Sequence, residues 1–235
     1  MPTVRMPLGL KGPIDMRTVA ALVIALSAVG ILAAAAEPTT DRQRNVAATS
    51  FTAISPIFSQ LVAFSLPANF KTVFENTSDR SYIREAVLKG ETTDRWTQMI
   101  TVTGAKGLAG NPKTTPESVA AGIAGGFKKA CPDTFTASVF GPAKYGDHDA
   151  FVAVASCGKV VSSANKHSET ALIVALKGSA DYYTIQWAER TPSSAENLTI
   201  DDAKWKGRLE KLIPIRVCPI VAGEKAPYPS CLNKK

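Results

Sequence analysis

Histidine is scarce in this chain, with two residues among 235, and neither stands near a pair of cysteines. A His-rich metal site is therefore excluded, and the four cysteines include no C-x-x-C pair, so zinc fails on spacing too. The G-x-S-x-G elbow is missing, and no S-x-x-K run follows a helix start. The spaced acidic loop of an EF-hand is absent as well. The run GAKGLAG at 104–110 lacks both the G-x-G-x-x-G spacing and a Gly-Lys-Ser/Thr, so it reads as a flexible connection, not a phosphate loop. No catalytic, cofactor-binding or metal residue is assigned from these patterns, and no cofactor is expected. Acidic residues are in the minority, 20 against 27 basic ones, but the +7 excess is modest and spread out, so no nucleic-acid partner is expected. A hydrophobic fraction of 45% excludes a wholly disordered chain, and 16 Gly with 15 Pro exclude a collagen-like repeat.

The amino terminus carries the clearest positive signal. Residues 18–36 hold no charge, three bases and one acid precede them, and the run ends in Ala34, Ala35 and Ala36. A basic region, an apolar region and a small-residue end predict a secretory signal over residues 1–36, cleaved before Glu37. Met16 followed by Arg17 offers a more usual start, which leaves 1–15 as a mis-set extension. The competing reading is an uncleaved anchor, since nineteen apolar residues nearly span a bilayer. Membrane contact is expected only through this segment, if it is retained. No Cys stands near its end, which argues against a bacterial lipoprotein. Cleavage lowers the net charge from +7 to +5.

The cysteines agree with export. Cys131, Cys157, Cys218 and Cys231 form an even set that allows two disulfides in three connectivities. Cys131–Cys157 with Cys218–Cys231 is favoured because these pairs close the shorter loops, and each should show a Cα–Cα separation of roughly 4.4–6.8 Å. Disulfides persist in oxidising compartments, so the expected localisation is periplasmic or secreted.

Residues 37–57 read as a polar lead-in, 58–216 as one α+β domain, and 217–235 as a tail pinned by a disulfide. Period-two patterns predict strands near 61–66, 82–89, 96–103, 135–140, 150–156, 170–177 and 182–190. Within 96–103, Trp96, Ile100 and Val102 are expected on one face, with Thr97, Thr101 and Thr103 on the other. The segment 150–156, apolar on both faces, suits a central covered strand. A helix over 116–130 has Thr115 as its cap, Pro116 at its first position, and Val119, Ile123 and Phe127 as a buried stripe. Its Gly122, Gly125 and Gly126 suggest close approach to a sheet. A second helix over 200–213 starts with a Thr199–Asp202 capping box and buries Trp205, Leu209, Leu212 and Ile213. Tyr182, Tyr183 and Trp187 read as core. The fold predicted is a mainly antiparallel β-sheet covered by two long helices.

The runs FSLPANF, YIREAVLKGE and WTQMITVTG, the helix ending in ACP, and the helix after YYTIQWAER resemble an uncharacterised family of exported proteobacterial proteins. Their element order is similar to the PsbP/DcrB-like fold, over about residues 60–215. The resemblance implies a compact binding or accessory module and no reaction.

One cluster invites chemistry. Asp147, His148 and Asp149 stand together before the strand at 150–156, where a carboxylate can orient an imidazole. Neighbours in a strand point to opposite faces, so the run reads first as a polar turn. His167 reads as a solvated loop residue. The expected function is an exported, non-enzymatic binding or accessory protein whose partner is an envelope protein or a small ligand. The alternative is a hydrolase using Asp147, His148 and Asp149, which requires His148 to face a serine or carboxylate across a pocket.

Overall fold

A computed structural model describes residues 48–159 and 167–232. The signal segment expected at 1–36 lies outside these residues. All described residues belong to one compact unit, Val46–Lys235.

Among the described residues, ten strands form two antiparallel sheets. The large sheet holds β3 (Phe70–Thr77), β4 (Ser81–Leu88), β5 (Gln98–Ala105), β6 (Phe135–Tyr145), β7 (His148–Cys157), β8 (His167–Lys177) and β9 (Tyr182–Pro192), in the order β3-β4-β5-β9-β8-β7-β6. The small sheet joins β1 (Ser50–Ile57), β2 (Gln60–Pro67) and β10 (Arg216–Pro219), with β2 in the middle. Helix α1 (Pro116–Ala130) lies against β7 and β8, and α2 (Asp202–Leu212) packs beside β2. A short α3 (Pro229–Leu232) ends the described chain.

This is an α+β fold built mostly from antiparallel sheet, as expected, but its covering layer differs. One face of the large sheet packs against the small sheet together with α2, and the other packs against α1. Along β8 the alternation divides the core: Leu172, Val174 and Leu176 join the inner cluster with Phe64 and Trp205, while Ile173 and Ala175 lie under α1. The strand at 150–156 is likewise covered on both faces, but it stands one place in from the sheet edge.

Several boundaries move. β1 occupies the end of the expected polar lead-in, where Ala53, Ser55 and Ile57 face inward, and small Ala53 with polar Ser55 mutes the hydrophobic alternation. β10 belongs to the small sheet, so the expected tail begins inside the domain. The second helix is eleven residues long, and its cap is Asp201, whose carboxylate accepts the Lys204 N–H at 3.1 Å. Thr199 precedes it and does not cap it. Ile213 was expected to be buried, yet it is 48% exposed. The residue before a proline leaves the helical region, so Ile213 no longer follows the helix phase.

Helix α1 has the predicted bounds and its Thr115 cap, but not the predicted burial. Only Ala120 is fully buried; Val119, Ile123 and Phe127 are half-buried beside the alanine-rich backs of β7 and β8. Its glycines do not mark close approach, because a Cβ at Gly122, Gly125 or Gly126 meets nothing within 4 Å. Close approach occurs instead at Gly104, where a Cβ would stand 2.5 Å from Ile57 Cγ2. Trp96 precedes β5 and packs with Val87 and Met99, on the face opposite Ile100 and Val102. The irregular chain ahead of Gln98 breaks the two-residue parity that the expectation assumed.

Two disulfides close the fold. Cys131 at the end of α1 bonds Cys157 at the end of β7, and Cys218 in β10 bonds Cys231 in α3, each pair with Cα atoms 5.7 Å apart.

Candidate functional site

A cleft sits where α1 begins over the β6–β7 hairpin. Thr115 caps the helix by accepting the Ser118 N–H at 3.1 Å, while the Thr115 N–H donates to Ser118 Oγ at 2.9 Å. This reciprocal cap fixes where the helix starts. Tyr182 fixes its height: the phenol, buried on β9, donates to the Thr114 carbonyl at 2.8 Å. Burial, with the Asp149 charge adding to it, pushes that phenol up from its usual value.

Between the helix start and the hairpin lies a space of about 560 Å³, walled by Pro116, Glu117, Pro142, Lys144, Asp149 and Phe151. That volume falls within the usual range for small-ligand sites. Lys144 and Asp149 stand directly opposite in the β6–β7 register and form an exposed ion pair at 3.2 Å. A second cavity of about 270 Å³ shares Glu117 and Phe151 and continues along α1, with Ala137 and Val139 of β6 on its other side. Its lining is almost wholly apolar.

The Asp147-His148-Asp149 run does not act as one group. Strand alternation places Asp149 on the α1 side, whereas Asp147 and His148 line a different cavity with Tyr145, Pro214 and Ile215. The His148 ring meets a main-chain carbonyl, that of Lys177, with Nδ1 at 3.0 Å. The serine or carboxylate that the hydrolase reading requires is not its partner. His167 is the first residue of β8, not a loop residue; burial and nearby Arg190 lower its pKa, with Glu169 opposing.

The glycine loop after β5 is also fixed in place. Gly107 N–H donates to Asp181 Oδ1 at 2.7 Å, and a 3-10 turn at Leu108–Gly110 follows. Tyr182, Tyr183 and Trp187 are core residues, as expected. Among the described residues, no group of three or more His, Cys, Asp or Glu is placed to hold a metal ion. Nor is any described helix long and apolar enough to cross a membrane.

The sequence reading missed Glu117, Lys144, Phe151 and Val139 as one site. The available signal was the uncharged stretch of β6 followed by the Gly141-Pro142 break.

No family model matches the chain, and no curated protein does. Solved structures with partial likeness include a Bacteroides thetaiotaomicron protein at 13% identity and TM-score 0.35, covering 70% of this chain and 47% of the other. The Saccharomyces cerevisiae Ran-binding protein Mog1p has 8% identity and TM-score 0.37, over 70% of this chain and 86% of its own. Mycobacterium tuberculosis LpqN, involved in cell envelope biogenesis, has 10% identity and TM-score 0.35, over 72% and 91%. With scores this low, the likeness carries no argument about function.

Proposed function

We propose that this chain is an exported, non-enzymatic binding or accessory protein of the periplasm or cell exterior, with its ligand held between α1 and the β6–β7 hairpin. The observation that carries the reading is the cleft of about 560 Å³ together with its apolar extension along α1. Both walls are firmly held: α1 is capped at one end and bonded to β7 through Cys131–Cys157 at the other. Two disulfides support an oxidising compartment. The charge-free run at 18–36 and the resemblance to exported proteobacterial proteins support export.

The neutral dye N-phenyl-1-naphthylamine tests the cleft directly. Its fluorescence is expected to rise on the folded protein and to fall back in Val139→Arg, which places a charge on the exposed wall without touching the core. No rise, or a rise unchanged in Val139→Arg, overturns the reading.

A further inference from the structure

β6 is the outermost strand of the large sheet, and no strand pairs with its outer side among the described residues. Edge strands are usually blunted by charge, proline or a bulge. In β6 the bulge at Phe140 and the nearby Pro142 blunt the C-terminal half. The stretch from Phe135 to Val139 has neither proline nor charge, and Val139 is 68% exposed. Because α1 packs chiefly on β7 and meets β6 only in part, a gap of about 270 Å³ remains between the helix and this edge. On the helix side the gap is lined by Ala121, Ala124 and Gly125, and a Cβ at Gly125 would meet nothing.

The geometry points to an extended peptide as the occupant, added to β6 as an antiparallel strand, and this assignment rests on the cleft reading above. A bare strand edge supplies main-chain hydrogen bonds, and alternate apolar side chains fill the gap beside the small residues of α1. The charges select an orientation. Glu117 stands at the helix start, near the C-terminal end of β6, while Lys128 and Phe135 line the opposite end. A strand antiparallel to β6 brings its N-terminus to Glu117 and its C-terminus to Lys128. The peptide therefore has a basic N-terminal end, apolar residues at alternate positions and an acidic C-terminal end.

Two fluorophore-labelled heptapeptides, KVSVTVE and its charge-reversed form EVSVTVK, test this by anisotropy on the exported protein with both disulfides intact. KVSVTVE is expected to bind at least about fivefold more tightly than EVSVTVK, and Lys128→Glu is expected to narrow that difference. Amide exchange at residues 136–139 should slow when KVSVTVE is bound. Gly125→Leu separates occupancy from folding: it is expected to raise the melting temperature by removing a helical glycine, while weakening peptide binding at least about tenfold. Equal affinity for the two peptides, wild-type binding by Gly125→Leu, or no binding up to about 1 mM overturns the assignment. Dye binding without peptide binding overturns the peptide alone, whereas loss of both removes the cleft reading too.

Discussion

Asp181 offers the sharpest test of how the two sheets are joined. It lies in the turn between β8 and β9, is 2% exposed, and accepts four hydrogen bonds. The Ser59 hydroxyl donates to Oδ2 at 2.5 Å and the Ser59 N–H at 3.3 Å, from the turn between β1 and β2. The Gly107 N–H donates to Oδ1 at 2.7 Å, and the Tyr183 hydroxyl to Oδ2 at 3.3 Å. One carboxylate thus ties together the β1–β2 turn, the chain after β5 and the start of β9. In Asp181→Asn the shape is kept, but one oxygen becomes an NH₂ that must face either Gly107 or Ser59 with a donor opposite a donor. One buried N–H left unpaired costs about 1–3 kcal/mol, and the remaining bonds lose their charge assistance, about 1 kcal/mol more. Urea unfolding at pH 7 should therefore show a loss of about 2–4 kcal/mol.

The pH dependence has a definite sign. Burial raises the Asp181 pKa, but donation from Ser59, Gly107 and Tyr183 outweighs it and holds the group below its ordinary value. Its stabilisation is present above the unfolded-state pKa of about 4 and is lost as pH falls through the lower folded-state value. The gap between the wild type and Asp181→Asn should narrow below about pH 4. A loss under about 1 kcal/mol at pH 7 would refute the donor count, and a gap that widens on acidification would refute the sign.

Other substitutions probe the layers separately. Replacing Cys131 and Cys157 together by Ala should cost about 3.5 kcal/mol on chain entropy for a separation of 26 residues, against about 2.9 kcal/mol for Cys218 and Cys231 at 13, read by denaturant midpoints. Phe127→Ala should cost about 1.5–2.5 kcal/mol, below the range of about 3–5 for a buried Phe, because the ring is half-buried beneath α1. Gly104→Ala should lose about 1–3 kcal/mol by forcing a methyl against Ile57, whereas Gly122→Ala, facing open space, should gain up to about 1 kcal/mol. Matching signs for those two glycines in thermal melts would contradict the packing described.

Local chemistry explains what could be read in advance. The bounds of α1 follow from Thr115, Pro116 and the basic residues at its end, all within one stretch of chain. The β8–β9 hairpin follows from two apolar runs around Gly178-Ser179-Ala180-Asp181, and the cysteine pairs from their spacing. Non-local pairing stayed hidden. Nothing near Arg216-Val217-Cys218-Pro219 announces that it will pair with β2, some 150 residues earlier. The candidate site was hidden for the same reason. Adjacent side chains at 147–149 suggest a cluster that strand alternation divides, while the cleft depends on α1 settling chiefly over β7 and covering β6 only in part.

The place of β9 in the large sheet also governs the order in which the fold can close. β5 takes β9 as its neighbour, yet Tyr182 comes 77 positions after Ala105. Between them the chain makes α1 and the β6–β8 meander, whose own outer strand β8 also waits for β9. At about 5–20 residues per second, a growing chain carries the β5 margin unmatched for roughly 4–15 seconds, and the β8 margin for about a second or less. β9 is the keystone: when it slides between β5 and β8 it satisfies both margins at once and converts two separate meanders into one continuous sheet. A chain cut short between β8 and β9 would leave both margins open to neighbouring molecules.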